Sequence, residues 1–371
     1  MHSYLNQQTQ SIRQISDLRF GIPVIIGNDS QNALIFSIET LTASNFAKIE
    51  STLSEPECEP YISITKNRAN LLKIRVYEED IARIKIPKDI SLDWIKATAD
   101  PALDLDYPMK GPYESFRYAN GDIARIGIKF CKEAELLPAV LVLPIAEDRA
   151  KELISEGLLY QNISKSVISK TSNWEATLIS SGYVPISNQL SAKVSVFRHP
   201  FCLSEHYAIE IGNINYSKPI LTRIHSACFT GDILHSLKCD CGDQLAKSIT
   251  QIKSAGNGII LYLNQEGRGI GLANKMRAYK LQDSGLDTFD ANHQLGFEDD
   301  ERDLSVGAKI LKKLGIKKIN LLTNNPSKIY NMENHGIKVV HRLPLITKVT
   351  AENKKYLKTK KEKSGHILFK Y

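Results

Sequence analysis

Cys228, Cys239 and Cys241 fall within fourteen residues, in a chain of 371 residues that has six cysteines. The spacing Cys-x10-Cys-x-Cys lets a loop and the start of a helix bring three thiols together. Thiolates bind zinc well, and a catalytic zinc takes three protein ligands with a fourth position for water. The Cys239–Cys241 pair does not fit the Cys-x2–4-Cys knuckle of structural fingers, and no second pair follows at finger spacing. A catalytic metal is therefore favoured over a closed structural site with His225 or His235 as fourth ligand. Three free buried cysteines is the weakest alternative, because Lys238 and Asp240 flank them with charge. A helix opening at Cys241-Gly242 would add unpaired N–H groups and a positive dipole end, which stabilise a thiolate. Cys58, Cys131 and Cys202 are scattered and read as small buried hydrophobes in a reducing compartment.

Such a site needs a folded scaffold, and the composition supplies one. Hydrophobic residues at 42% and charged residues at 24% are ordinary globular values, which exclude a mainly disordered or fibrous chain. Length alone suggests two domains. Forty-eight basic against 41 acidic residues leave a net charge of +7, which suits an anionic partner without choosing one. The longest apolar run, Leu136 to Ala146, is interrupted by prolines and is far shorter than the ~20 residues a membrane helix requires. The first residues lack the apolar stretch of a secretion signal, so a cytoplasmic protein is expected.

The second half alternates strand and helix. Strand-like runs at Ile220–Ile224, Gly258–Leu263, Lys318–Thr323 and Ile337–His341 enclose helix-like runs at Gln244–Lys253, Leu272–Leu281 and Leu304–Leu314, and before the last of them Ser327–Asn334. Gly256, Gly315 and Gly336 each sit just past a helix, where a left-handed residue is expected. The pattern predicts an α/β domain with functional loops at strand ends. In the first half, Pro23–Gly27, Ala33–Ile38 and Ala139–Ile145 read as strands and Ile123–Glu135 as a helix. The prolines and glycines from Pro101 to Gly121 mark loops. After the polar stretch Ser164–Asn173, Trp174–Ser181 reads as a helix and Gly182–Pro185 as a turn. The expected fold is α/β with mixed sheets, in two domains over 1–190 and 191–371.

Two features invite over-reading. Gly267, Gly269 and Gly271 suggest a phosphate cradle, yet their spacing is not Gly-x-Gly-x-x-Gly, and a loop allowing close backbone approach is the simpler account. Six lysines between Lys354 and Lys363 suit a solvated face or tail better than a nucleic-acid patch, since Tyr356 is the sole interleaved aromatic.

Ordered motifs then carry a resemblance. Arg223-Ile-His-Ser-Ala-Cys-Phe-Thr-Gly-Asp232 and Leu237-Lys-Cys-Asp-Cys-Gly242 are followed by Gln265-Glu-Gly-Arg-Gly-Ile-Gly-Leu272 and Asn274-Lys-Met-Arg-Ala-Tyr279. Ala291-Asn-His-Gln-Leu-Gly296, Asp300-Glu-Arg-Asp303 and Leu322-Thr-Asn-Asn-Pro326 complete the series. From about residue 195 to Gly365 the chain resembles GTP cyclohydrolase II. The resemblance implies that GTP loses C8 as formate and two phosphates as pyrophosphate, the first step of riboflavin synthesis. It implies zinc on Cys228, Cys239 and Cys241. It implies GTP contacts at Arg223, Ile224, His225, Ser226, Ala227, Gln244, Glu266, Gly267, Arg268, Thr288, Thr323 and Lys328. Arginine forks and a lysine charge suit phosphate oxygens, and the Glu266 carboxylate suits the N1–H and 2-amino donors of guanine. Asp300 matches the family's proton acceptor, Arg302 its nucleophile and Tyr279 a further site residue. An arginine nucleophile must first lose a proton from a group of pKa above ~12; stabilising charge on departing pyrophosphate is the plainer alternative. Mg2+ on the substrate phosphates and a homodimer are also implied. Some family members carry Glu where Ala227 stands.

The first half resembles 3,4-dihydroxy-2-butanone 4-phosphate synthase through Phe20-Gly-Ile-Pro-Val-Ile-Ile26 and Ala134-Glu-Leu-Leu-Pro-Ala139. Where that family has a dense acidic loop, this chain has Asn28-Asp-Ser-Gln-Asn-Ala33; where it has Gly-His-Thr-Glu, the chain reads Gly121-Asp-Ile-Ala124. One aspartate does not make a multi-carboxylate magnesium site, so a degenerate, non-catalytic domain is expected. Two rival functions remain open: a zinc-stabilised module binding nucleic acid, and a paralogue acting on another nucleotide or base.

Overall fold

A computed structural model describes residues 7–28, 30–52, 59–87, 90–117, 120–165, 174–187, 190–200 and 204–345. Cys58, Cys202 and the lysines from 354 to 363 lie outside the described residues. The chain forms two compact units: Met1–Ser172 with Ile270–Glu301, and Asn173–Gly269 with Arg302–Tyr371. A segment from the second half of the chain, Ile270–Glu301, thus belongs with the first unit.

The first unit holds strands β1 (Val24–Gly27), β2 (Asn32–Ser37), β3 (Tyr61–Thr65), β4 (Ile81–Lys85), β5 (Ala139–Ile145) and β6 (Tyr160–Asn162) in the order β4-β3-β5-β2-β1-β6. Its first six helices are α1 (Gln7–Arg19), α2 (Ala43–Thr52), α3 (Lys66–Leu71), α4 (Leu92–Ala99), α5 (Asp122–Glu133) and α6 (Glu147–Ser155). Alternation along the strands feeds two cores. Ile25, Leu34 and Phe36 pack with Phe46, Ile95 and Leu153, while Val24, Ile26 and Ile35 pack with Leu18 and with Ile123 and Phe130 of α5.

The second unit contributes β7 (Thr177–Ser187), β8 (Leu190–Arg198), β9 (Glu205–Ile211), β10 (Ile220–Ser226), α7 (Cys241–Ser254) and β11 (Gly258–Leu263). The chain then supplies α8 (Gly271–Asp283) and α9 (Thr288–Gln294) to the first unit. There Leu137 joins Ile270, Ala278, Leu281, Leu295 and Phe297 in a small core, and Asn274 Nδ2 donates to the Glu135 carbonyl at 2.9 Å. Finally α10 (Ser305–Lys313), β12 (Lys318–Leu322), α11 (Pro326–Asn334) and β13 (Lys338–Leu343) complete the second unit.

Its seven strands run β13-β12-β10-β11-β9-β8-β7. The first four are mutually parallel and the rest antiparallel. Ile224, Ile259, Leu261 and Leu321 face α10 and α11 through Val306, Ile310 and Met332; Ile260 and Leu322 face α7 through Ile252. Helices thus cover both faces, as a parallel sheet requires.

The expected helix Trp174–Ser181 is not formed: Thr177–Ser181 belong to β7, and the expected turn Gly182–Pro185 lies inside that strand. Thr177, Ile179 and Val184 are β-branched residues that suit a pleated ladder. Every residue of β7 is exposed, so no buried face imposed a readable period. Pro185 is tolerated because β7 is the sheet edge.

Candidate metal centre and its surroundings

Strands β10 and β12 are neighbours whose following chain segments leave in opposite directions, one toward β11 and the other toward β13. Open α/β sheets bind ligands outside the carboxyl ends of strands at such a switch point. Cys228 follows β10 there. After the turn Phe229–Ile233, the chain returns to Cys239 and to Cys241, the first residue of α7.

The sulfurs of Cys228, Cys239 and Cys241 lie within 4.8 Å of one another. Cys228 Sγ and Cys239 Sγ are 3.8 Å apart, the edge expected of a tetrahedron with metal–sulfur bonds of about 2.3 Å. The donor set thus fits a thiophilic metal. Among the described residues, no histidine joins this group. Close backbone approach makes the arrangement. A Cβ on Gly231 would meet Cys239 Sγ at 2.7 Å and Cys228 Sγ at 3.1 Å, and one on Gly242 would meet the Gly231 carbonyl oxygen at 2.1 Å. Glycine at both positions lets the turn rest on the start of α7.

Behind the thiols lies a buried polar layer. Arg223 donates from Nη1 to the Leu322 carbonyl at 3.0 Å and from Nη2 to Gln244 Oε1 at 2.6 Å, while Gln244 Nε2 donates to Asp240. Burial pushes the Arg223 pKa down to about 10, against the pull of Cys241 and Asp240. Among the described residues, its Nε has no partner. Lys328, also buried, donates to the Ile224 carbonyl at 2.8 Å. Arg302 donates to Ser226 Oγ at 3.2 Å. Burial lowers the His225 pKa, opposed by a hydrogen bond between its Nε2 and Asp232. Ile224 belongs to the core, and Ala227 N–H donates to the Leu263 carbonyl at 2.8 Å.

The loop after β11 turns tightly: Gly267, Arg268 and Gly269 have φ of 60°, 63° and 91°. Glycine makes two of these left-handed steps easy. Glu266 accepts from Phe229 N–H at 2.6 Å and from Gly267 N–H at 2.9 Å, tying this loop to the turn after Cys228. After β12, Thr323 Oγ1 accepts from Asn325 N–H at 3.0 Å, and Asn325 caps α11 through Ser327 N–H at 2.9 Å.

The remaining expected site residues stand in the first unit. Tyr279 lies on α8 with Lys275 Nζ 5.8 Å from its ring centre; Thr288 opens α9 and accepts from Gln282 at 3.4 Å; Asp300 is exposed in the loop after α9. Just before α10, Asp303 Oδ1 accepts Ser305 N–H at 2.9 Å.

The family model of GTP cyclohydrolase II matches residues 183–344. A GTP cyclohydrolase-2 of Azospirillum brasilense is 38% identical over 312 residues, covering 83% of this chain and 81% of that protein. The chain belongs to the GTP cyclohydrolase II family. A GTP cyclohydrolase-2 of Xylella fastidiosa strain 9a5c is 33% identical over 358 residues, 96% of this chain and 86% of its own. One from Histophilus somni strain 2336 is 55% identical over 172 residues, 46% of this chain and 80% of its own. A solved two-domain 3,4-dihydroxy-2-butanone 4-phosphate synthase from A. baumannii covers 91% of this chain at a TM-score of 0.32 and 15% identity, with 99% of that protein covered. At that score the likeness carries no argument.

Within this family setting, sequence reasoning missed Gly231, Asp232 and Tyr262. The first two sit inside the quoted cysteine motif, where a Gly-Asp pair reads as ordinary turn chemistry. Tyr262 reads as a strand residue like any other.

Proposed function

We propose that the chain hydrolyses GTP to 2,5-diamino-6-hydroxy-4-(5-phosphoribosylamino)pyrimidine, formate and pyrophosphate, as a GTP cyclohydrolase II of riboflavin biosynthesis. One observation carries the reading: a three-thiol metal group stands at the same strand ends as a buried arginine and a buried lysine. Ring opening at C8 needs activated water, and a triphosphate needs cations; this end of the sheet offers residues for both.

Zinc is the proposed ion on Cys228, Cys239 and Cys241. Bound there, it supplies Lewis-acid polarisation and lowers the pKa of the water it holds. The protein's own groups do the remaining work. Arg223, aimed by Gln244 and the Leu322 carbonyl, presents Nε to an acceptor. Lys328 adds a point charge beside it, and Arg302 a fork for phosphate oxygens. Like charges gathered in a poorly solvated place favour a polyanion. Glu266 is proposed to read guanine. Gly267, Arg268 and Thr323 line the nucleotide with His225, Ser226 and Ala227, and Mg2+ travels on the phosphates. The family resemblance further assigns Asp300 to proton acceptance, Arg302 to the phosphate step and Tyr279 and Thr288 to the same reaction. A homodimer and a cytoplasmic setting complete the proposal; among the described residues, no helix is long and apolar enough to cross a membrane.

For the first half we propose a non-catalytic, degenerate synthase-like domain over roughly residues 1–190. Asn28 Oδ1 is consumed in its own turn, accepting from Ser30 N–H at 2.9 Å and Gln31 N–H at 2.9 Å. Asp122 pairs with Arg125 at 3.1 Å. Among the described residues, the cysteine trio is the only His, Cys, Asp or Glu group placed to hold a metal. Incubation with GTP, Zn2+ and Mg2+ followed by chromatography tests the main reading: the diaminopyrimidine phosphate supports it, and any other product from GTP overturns it.

A further inference from the structure

The carboxylate of Asp232 gathers three donors from three places in the second unit. It accepts Cys228 N–H at 3.0 Å, the Tyr262 hydroxyl at 3.0 Å and His225 Nε2 at 2.9 Å. Its side chain is 4% exposed and that of His225 2%. His225 also stacks on Tyr262, with ring centres 5.5 Å apart and planes at 28°. The proposed metal and nucleotide contacts leave Asp232 without a role; a buried carboxylate is costly unless it is hydrogen-bonded, and these three donors offset that cost.

We propose that Asp232 is a positioning residue for the reaction of this site, fixing the Cys228 backbone and holding His225 as the Nε2–H tautomer so that Nδ1 remains an acceptor. This rests on the GTP cyclohydrolase reading given above. A carboxylate brings no proton, so the hydrogen in its bond to His225 sits on Nε2. A neutral ring then has a bare Nδ1. That atom is buried and, among the described residues, has no partner, and the same is true of the donor Arg223 Nε. The two residues are two apart on β10, so their side chains leave the same face of the sheet. An unpaired acceptor and an unpaired donor on one face are satisfied together by a group that both gives and takes a hydrogen bond, such as a water or a hydroxyl. Asp232 thereby sets which partner His225 can take while it anchors the first thiol. Supporting groups of this kind typically change metal affinity or activity by about 10–100-fold when altered.

The test is Asp232→Asn, which keeps the shape but turns an N–H2 toward one of the three donors. The variant is expected to keep its circular dichroism. With Co2+ replacing the native ion, its thiolate charge-transfer and d–d bands shift, and it surrenders the metal faster to a chromophoric chelator. Turnover falls by about 10–100-fold while KM moves by less than about threefold. Tyr262→Phe, which removes one donor and spares the other two, leaves the cobalt bands in place. Unchanged bands, chelator rate and turnover in Asp232→Asn would overturn the proposal. Should that variant fail to fold, the 15N shifts of His225 in the parent protein decide: a proton on Nε2 supports the proposal, and one on Nδ1 sinks it. A parent protein that makes no formate from GTP defeats the cyclohydrolase reading, while the cobalt and nitrogen spectra still judge Asp232.

Discussion

Gly231 rests against Cys239 so closely that a Cβ on it would lie 2.7 Å from the thiol sulfur. The same atom would lie 2.9 Å from Cys241 Cβ. The thiol trio is therefore built by a backbone approach as much as by the cysteines themselves. Gly231→Ala forces the turn away from α7 and opens the trio. Metal bound per chain, measured by elemental analysis, is expected to fall well below that of the parent, with formate production lowered by at least about tenfold. Full metal content in the variant would contradict this account.

Glu266 places both carboxylate oxygens on backbone N–H groups, one of them in the turn after Cys228. The proposal gives it a second duty, accepting from the guanine edge. Replacing it by Gln removes the charge from these bonds, and hydrogen bonds to charged groups contribute about 1.5–3 kcal/mol. Glu266→Gln is expected to lower kcat/KM for GTP by about 10–100-fold and to narrow the preference for GTP over ITP. An unchanged preference removes guanine reading from this residue.

His199 and His206 give the fold a pH dependence. Burial is the leading cause that pushes both down to about 4 from an ordinary 6.5, against the pull of Asp303. Lys309 and His206 lower His199 further. The unfolded chain then binds more protons than the native one between those values, so stability rises with pH through that range. It is complete above about pH 6.5 and is lost as the pH falls toward about 4. Melting temperatures at about pH 7 and about pH 5 should differ by several degrees, and His206→Gln should flatten the difference. Equal melting points in the parent would contradict it.

Removing the first half is expected to harm the later segment that packs with it. A fragment beginning at Trp174 loses Leu137 from the core of α8 and α9 and the Glu135 carbonyl from Asn274. Arg277 loses Asp100 and Glu39, at 3.1 and 3.2 Å. The fragment should melt below the full chain and bind more of an apolar dye. A fragment with the full chain's melting point and kinetics would mean that the first half supports neither.

Much of the second unit was legible because its inner parallel strands β10, β11 and β12 are largely buried runs and its helices end at marked glycines. Gly256, Gly315 and Gly336 all have positive φ, 84°, 77° and 74°, and the helix expected at Gln244–Lys253 lies within α7. The segment Thr177–Ser181 misled because an edge strand exposed throughout carries no core signal. The return of residues 270–301 to the first unit was hidden because Arg277 and Asn274 find partners more than a hundred residues away. In the site, cysteine spacing announced the thiols. Asp232 could not be singled out, since its meaning lies in joining His225, Cys228 and Tyr262 from separate strands and a turn.

The central claim is tested most directly by counting formate released per GTP consumed, in the zinc-loaded protein and in Cys228→Ser. One formate for each GTP in the parent and none in the variant is the result expected. GTP consumed by the parent without formate, or formate released at the parent's rate by Cys228→Ser, would contradict the account.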